Sequence, residues 1–250
     1  MRILFATSEA HPLVKTGGLA DVSGSLPVAL AELGHEVQTI LPAYQSVLEK
    51  YPLYEVLSRF SVGGAGRTLS ARVLAVWVPE MEQKVWLLDI PELFDRPGNP
   101  YLGPDGKDWW DNGERFAVYS RAVAEIAMNR AGLNWRADVV HANDWQTGLV
   151  PAFLREEQYA PRTVFTIHNM AYAGYFPKSL FDSLWLPWQW WGDEGVEFHG
   201  LLSMLKAGIM YADAVTTVSP SYAQEICTEE YAYGFAGIMR KTRDQGRLHG

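Results

Sequence analysis

The sequence predicts an α/β domain built on a mostly parallel sheet with helices on both faces. Short apolar runs typical of buried strands alternate along the chain with longer stretches of helical periodicity. The first strand, helix and second strand follow one another closely, as in a right-handed parallel β-α-β unit. Several later strands end in polar residues, as strands do where an open parallel sheet meets a ligand.

The first predicted unit runs from the N-terminus to residue 42. Residues 2–8, RILFATS, form an apolar run of the buried-strand type. Apolar residues three and four positions apart then predict a helix with a buried stripe of Leu19, Val22, Leu26, Leu30 and Leu33. Pro27 is expected to kink this helix or loosen its middle, because proline lacks a backbone donor. Gly34 ends the helix, and Glu36–Pro42 is predicted as the second strand.

The same alternation continues through the rest of the chain. The further predicted strands are 71–78, 84–90, 137–144, 162–169 and 213–219. The further predicted helices are 114–130, 146–157, 200–211 and 221–229. Segments 63–66, 96–113 and 171–195 are predicted as loops, and no repeat or linker divides the chain. We therefore expect one domain over residues 1–250.

Composition and charge argue against several classes of function and location. The 250-residue chain has a formal charge of −8 and a pI near 5.3, whereas a nucleic-acid or anionic-membrane partner requires a basic face. Cys227 is the only cysteine, so an intrachain disulfide is excluded and a reducing compartment is expected. The N-terminal apolar run is too short for a signal peptide, and no run of about 18 apolar residues predicts a transmembrane helix. We expect a cytoplasmic protein without nucleic-acid or membrane partners.

The polar strand exits are expected to form one rim. SEAHPLVKTGG follows the first strand, HANDW ends the strand at 137–144, and HNMAYAG follows the strand at 162–169. The carboxyl ends of parallel strands share one edge of a sheet, where ligands bind. Lys15, Asp144 and His168 should therefore lie at the same edge.

The stretch LVKTGGLADVSG, residues 13–24, indicates an anion site in the first strand-to-helix connection. Gly17, Gly18 and Gly24 do not have the G-x-G-x-x-G spacing of a dinucleotide fingerprint, and Lys15 precedes the glycines instead of following them as in a P-loop. What remains is a lysine beside two amides without Cβ atoms at a helix N-terminus, which favours phosphate or another anion. The alternative is a tight turn with Lys15 as a solvated surface charge.

Other candidates have structural alternatives. HAND at residues 141–144 resembles a metal-ligand pair, but the chain lacks a second cysteine, H-E-x-x-H and D-x-D, so no metal or other cofactor is expected. His168 is either a site residue or a neutral, hydrogen-bonded structural histidine. Four of the ten tryptophans lie within LWLPWQWW, residues 184–191. They either form an exposed platform for sugar rings or are buried in a core or interface.

Eight segments are long and specific enough to compare with known families. In chain order they are RILFATSEAHP, KTGGLADV, RPGNPY, WWDNGERFA, HANDWQTGL, TIHNMAYAG, LKAGIMYADAVTTVSPSYAQEI and YGFAGIMR. Together they resemble the bacterial glycogen synthases and plant starch synthases. The resemblance implies the N-terminal, Rossmann-like half of a GT-B glycosyltransferase, here residues 1–250, with the C-terminal GT-B domain absent. It also implies transfer of glucose from ADP-glucose to the non-reducing end of an α-1,4-glucan, with retention and without a metal.

The resemblance also assigns site residues, each by its matching position. Lys15 becomes the contact near the diphosphate, with the amides of Gly17 and Gly18 beside it. Asp21 becomes a sugar or acceptor ligand. The resemblance implies that His168 faces the transferred glucose and that Asp144 is the carboxylate of the catalytic cleft. It also implies that Tyr101 lines that cleft and that no nucleophile is required of this half. Cations and amides would stabilise the leaving diphosphate, and the carboxylate and histidine the sugar.

Departures from the family pattern are local. Ala236 stands where a glutamate is expected, which argues against one local contact but not against the family. His199 stands where an aromatic residue is usual and receives no role. The resemblance to bacterial glycogen synthases implies a cytoplasmic location, and the resemblance to plant starch synthases a plastid one only after removal of a transit peptide. Loss of a partner domain would expose apolar surface through which the chain could form a homo-oligomer. Two alternatives stay open: a GT-B transferase that uses UDP-glucose, and a non-catalytic glucan- or nucleotide-binding module.

Overall fold

The computed structural model describes residues 1–250 and contains twelve strands. They are β1 (Arg2–Ala6), β2 (Glu36–Pro42), β3 (Glu55–Gly63), β4 (Thr68–Val78), β5 (Gln83–Asp89), β6 (Val139–Asn143), β7 (Arg162–Ile167), β8 (Tyr175–Pro177), β9 (Glu197–Phe198), β10 (Leu201–Ser203), β11 (Ala214–Thr217) and β12 (Leu248–His249). One nine-stranded sheet has the order β12-β11-β7-β6-β1-β2-β5-β4-β3. Pairing is parallel from β12 to β5, and β4 and β3 add an antiparallel edge. The predicted mostly parallel sheet is confirmed.

The helices cover both faces of this sheet. They are α1 (Gly18–Glu32), α2 (Gln45–Lys50), α3 (Pro91–Phe94), α4 (Asn112–Ala127), α5 (Leu149–Arg155), α6 (Lys178–Ser183), α7 (Met204–Tyr211), α8 (Pro220–Glu225) and α9 (Ala236–Asp244). The crossover through α1 leads from β1 to β2, whereas the crossover through α5 leads from β6 to β7 in the opposite direction. Right-handed crossovers in opposite directions place their helices on opposite faces. None of the helices combines the length and apolar character needed to cross a membrane.

The main core lies between the central strands and the layer of α4, α5 and α7. Leu4, Val140 and Phe165 are fully buried on neighbouring strands. A Cβ atom at Gly208 of α7 would lie 2.5 Å from the Phe165 ring, so this helix needs a glycine to approach the sheet. A smaller apolar cluster, which includes Phe181 and Trp190, packs near the antiparallel sheet β8-β10-β9.

The predicted stripe of α1 is only partly correct, because Leu19 is buried and its other members are not. Leu33 lies beyond the helix and is 75 % exposed, and Val22, Leu26 and Leu30 are only half-buried. The other buried residues of the helix are Ala20, Ser23 and Pro27. Small residues suit this face because the helix approaches the preceding loop closely; a Cβ atom at Gly24 would lie 2.3 Å from the His11 carbonyl oxygen. Helix α1 continues through Pro27 without a break.

Other differences concern element boundaries. The helix predicted at 146–157 is divided into a 3-10 turn, Trp145–Thr147, and α5. The segment 200–211 begins with strand β10 before α7, and the helix predicted at 221–229 ends at residue 225. The predicted loop at 171–195 contains β8 and α6. Two of the elements, β8 and β10, are short strands that pair with each other across more than twenty residues, so local periodicity does not reveal them.

Candidate active site

The candidate site lies where the strand order reverses. The chain leaves β1 toward β2 on one side and later returns to place β6 on the other. Such a switch point opens a crevice beyond the carboxyl ends of the two strands, and open α/β sheets bind their ligands there. The loop after β1 contains Lys15, residue 144 follows β6, and residue 168 follows β7.

A buried carboxylate shapes the loop between β1 and α1. Glu9 is 3 % exposed, and its Oε1 accepts a hydrogen bond of 2.8 Å from the Thr16 hydroxyl. Its Oε2 accepts from the backbone N–H groups of Thr16 and Gly17. One carboxylate therefore ties the residues before α1 to the end of β1 and fixes the path of the loop.

Tyr101 braces this carboxylate from the loop before α4. Its hydroxyl donates to Glu9 Oε1 at 2.8 Å and lies 2.7 Å from Ser8 Oγ. Asn99 Oδ1 accepts from the Tyr101 and Leu102 amides, which holds the turn that carries the ring. Burial raises the pKa of Tyr101, so its hydroxyl remains a donor. The structure thus brings Tyr101 to the site, in contact with Glu9.

Lys15 and Asp21 form an ion pair at the mouth of the loop. Lys15 Nζ lies 2.8 Å from Asp21 Oδ2, and both side chains are about half exposed. Exposed pairs of this kind contribute little to stability. Their charges are therefore available to a ligand at small cost.

Gly17 and Gly18 differ in what their amides can do. The Gly17 N–H is bonded to Glu9 Oε2 at 3.2 Å, so it is not free in the way that the sequence suggested. The Gly18 N–H has no acceptor within the chain and begins α1, whose N-terminus carries positive partial charge. Nothing lies within 4 Å of where a Cβ atom would stand at either glycine. A ligand can therefore approach this backbone closely.

Asp144 occupies a strained position after β6. Its φ of 59° and ψ of 179° fall in a region almost restricted to glycine. Its Oδ1 accepts a hydrogen bond of 2.7 Å from the His168 backbone N–H. Burial raises the pKa of Asp144 to about 7, against the backbone hydrogen bonds that lower it, and the nearby Glu9 carboxylate adds to the rise.

His168 lies directly beside this carboxyl group. Its Nε2 is 2.9 Å from Asn143 Oδ1, and its backbone is held by Asp144. Burial lowers the pKa of His168 to about 4, so the ring is neutral at pH 7. Asp144 and His168, which the sequence placed at one rim, are in direct contact.

The two sides of the crevice have complementary chemistry. The loop side offers a lysine and a free helix-terminal amide, which suit an anion. The strand side offers a carboxyl group that titrates near pH 7 and a neutral imidazole, both able to hydrogen-bond to hydroxyl groups. No group of three or more His, Cys, Asp or Glu side chains is placed to hold a metal ion.

The sequence did not identify Glu9 or Asn143 as site residues. Both stand at strand exits, within SEAHP and HAND, and this position was the available signal. The tryptophan cluster divides in the structure. Trp185 and Trp188 are 84 % and 78 % exposed, whereas Trp190 is buried and donates from Nε1 to Glu156.

Comparison with known proteins decides the family. A family model described as "Starch synthase catalytic domain" matches residues 2–241. The chain belongs to this family. The resemblance inferred from the eight motifs is therefore confirmed.

Individual proteins similar to this chain are also glycogen or starch synthases. The chain is 61 % identical to a glycogen synthase of Hydrogenovibrio crunogenus over 100 % of its own length and 51 % of the relative's. It is 52 % identical to the glycogen synthase of Thioalkalivibrio sulfidiphilus over 96 % of this chain and 49 % of the relative. The catalytic domain of starch synthase IV from Arabidopsis thaliana, bound to ADP and acarbose, superposes with a TM-score of 0.85 at 27 % identity. That match covers 100 % of this chain and 50 % of the solved one.

These matches confirm the predicted fold class and family. The α/β sheet with helices matches the GT-B catalytic domain of the starch synthases. The chain spans about half the length of the curated relatives it matches.

Proposed function

We propose that this chain is the N-terminal half of a glycogen synthase that transfers glucose from ADP-glucose to the non-reducing end of an α-1,4-glucan with retention. The observation that carries the proposal is the 61 % identity to a glycogen synthase across the whole chain. The presence of ADP in the related Arabidopsis structure supports an adenine nucleotide as leaving group. Bacterial relatives support a cytoplasmic location.

The loop after β1 is proposed to bind the donor's diphosphate. Lys15 would exchange its exposed partner Asp21 for a phosphate oxygen, because that ion pair is solvent-screened and weak. The free Gly18 amide would donate to the same group, and the open space beside Gly17 would admit it. Asp21, once released, would be free to contact a sugar or the acceptor.

The strand exits are proposed to hold the transferred glucose. In a front-face transfer the sugar ring gains positive charge while negative charge develops on the departing phosphate. Asp144 would stabilise the ring, and His168 would hold its hydroxyl groups. Tyr101 would line the same cleft and keep Glu9 in place. No metal or other cofactor enters this proposal.

The second half of the protein is proposed to complete the site. Because the relatives are about twice as long, a second domain would close over the donor and supply further cations for the diphosphate. Loss of such charge contacts costs about 3–4 kcal/mol each. The 250-residue chain alone should therefore transfer glucose extremely slowly. Its exposed inter-domain face is a proposed site of homo-oligomer formation.

Transfer of radiolabelled glucose to glycogen tests the proposal. The full-length protein is incubated with ADP-glucose or UDP-glucose, and the 250-residue chain is assayed in parallel. We expect incorporation by the full-length protein with a strong preference for ADP-glucose. A preference for UDP-glucose would overturn the donor assignment. Retention on a glycogen column without turnover would instead indicate a binding module.

A further inference from the structure

Two polar side-chain pairs connect β6 and β7 beside the crevice. Asn143 Oδ1 lies 2.9 Å from His168 Nε2, and His141 Nε2 lies 2.6 Å from Thr166 Oγ1. Asn143 is opposite Thr166 in the parallel register, so the two pairs are successive steps along the same strands. Both histidines are neutral at pH 7, because burial lowers the pKa of each to about 4. For the Asn143–His168 pair the direction of the hydrogen bond can be fixed, because a second contact of Asn143 sets the orientation of its amide.

The orientation of the Asn143 amide follows from its second contact. Asn143 is fully buried, and its Nδ2 donates 3.0 Å to the carbonyl oxygen of Ala6 on β1. The reversed amide would set its oxygen against that carbonyl oxygen, with no proton between them. Oδ1 therefore faces His168, and because an amide oxygen only accepts, His168 Nε2 must carry the proton.

The tautomer of His168 determines what its other nitrogen offers. A neutral imidazole has one N–H and one bare nitrogen, so Nδ1 is an acceptor. Nδ1 has no hydrogen-bond partner within the chain and is not among the unpaired buried atoms, so it is open to solvent. The backbone N–H of the same residue is held by Asp144 Oδ1 at 2.7 Å. His168 is thus anchored once at its backbone and once at ring Nε2, and its Nδ1 is left as a free acceptor.

We infer that Asn143 is a positioning residue that holds His168 as the Nε2–H tautomer and keeps Nδ1 as a hydrogen-bond acceptor for a sugar hydroxyl. The identity of the ligand rests on the proposed function, whereas the tautomer does not. The chain Ala6–Asn143–His168 crosses β1, β6 and β7 and transmits the geometry of the central sheet to the ring. An acceptor at this place favours a hydroxyl group over a second acceptor, such as a phosphate oxygen.

Nitrogen-15 NMR of the imidazole rings tests this inference. The chain labelled with ¹⁵N-histidine contains six histidines, and His168→Gln identifies the signal of residue 168. We expect wild-type His168 at pH 7 to give the pattern of a protonated Nε2 and a bare Nδ1. In Asn143→Ala the Nε2–H loses its acceptor, so a mixture of tautomers is expected. Asn143→Asp retains an oxygen acceptor toward His168, and with its second oxygen protonated and donating to the Ala6 carbonyl it should keep the Nε2–H form.

Thr166→Val is the matched control one step along the strands. It removes the partner of His141 and should change the signal of that ring while leaving His168 unchanged. A wild-type His168 protonated at Nδ1 would overturn the inference, whether or not the variants fold. An unchanged tautomer in folded Asn143→Ala would also overturn it.

Kinetics of the full-length protein separate this inference from the proposed function. If ADP-glucose is the donor, Asn143→Ala should lower kcat by about 10-fold or more, with a smaller loss in Asn143→Asp. A changed tautomer with unchanged turnover would overturn the positioning role. A wild-type protein with no transferase activity would overturn the proposed function, while the NMR result alone would decide the tautomer assignment.

Discussion

Asp144 combines two costly features in one residue. Its backbone lies in a region where non-glycine residues cost about 1–3 kcal/mol, and burial raises the pKa of its carboxyl group to about 7. Its side chain accepts a hydrogen bond from the His168 amide, and the Asn169 amide also favours the charged carboxylate. Strain of this kind persists where a side chain must be held in one place for function. At the scale of residues, this strain and the raised pKa support the role proposed for Asp144.

Lys15 provides a residue-scale test of the anion site. In the full-length protein, Lys15→Ala should raise the KM for ADP-glucose by about 10-fold, and more at low salt, because an exposed charge contact is screened by ions. The melting temperature should not change, since the Lys15–Asp21 pair is exposed. Steady-state kinetics at several ionic strengths provide the measurement. The similarly exposed Lys178–Asp182 pair supplies the control variant Lys178→Ala. Equal, salt-independent kinetics for both variants would return Lys15 to the solvated-surface interpretation.

At the scale of elements, close backbone approaches position the site. Gly148 joins the turn after Asp144 to α5, and a Cβ atom there would lie 1.8 Å from the Met204 carbonyl oxygen at the start of α7. Helices α5 and α7 pack against each other in this region. The strand exit at β6 is thus held by helix packing as well as by its own hydrogen bonds.

Gly148→Ala should destabilise the fold by about 3 kcal/mol or more, because the clash is with backbone that cannot move aside. Gly237→Ala is the control: it lies in α9 with nothing within 4 Å of its Cβ position, so it should stabilise by about 0.5–1 kcal/mol. Urea unfolding of the two variants gives the comparison. Equal stability for both would contradict the packing described here.

The sequence predicted strands and strand exits better than it predicted packing. The apolar runs identified β1, β2, β6 and β7, because these strands are largely buried in the centre of a parallel sheet. On α1 the sequence identified only Leu19 of the buried face, because Ala20, Ser23 and Pro27 complete that face and a hydrophobic stripe does not reveal them. It brought Asp144 and His168 to one rim through topology alone. It did not reveal Glu9, whose role depends on the three-dimensional path of the loop that it binds.

At the scale of the whole molecule, buried titratable groups couple stability to pH. Burial lowers the pKa of His141 and His168 to about 4. Their contribution to the free energy of unfolding is therefore present above the unfolded-state pKa near 6.5 and is lost as the pH falls toward 4. For Asp144 the dependence of stability on pH has the opposite sign. Its pKa is raised to about 7, so its contribution is present below the unfolded value near 3.8 and lost as pH rises through 7.

Asp144→Asn should therefore become more stable relative to the wild type as the pH rises from 4 to 7.5. The difference in the free energy of unfolding between the variant and the wild type should grow by up to about 4 kcal/mol, since each unit of pKa shift corresponds to about 1.4 kcal/mol. Urea unfolding at several pH values measures this difference, in which the two histidines cancel. A gap that stays constant across this range would contradict the raised pKa.

The most direct test of the central claim is turnover measured together with stability in the full-length protein. Asp144→Asn and His168→Ala should each lower kcat for glucose transfer from ADP-glucose by roughly 10²-fold or more, because they remove contacts made mainly in the transition state. Asp144→Asn should melt at or above the wild-type temperature at pH 7, and His168→Ala should remain folded. The account would be contradicted if both variants melted far below the wild type while their turnover per folded molecule stayed the same.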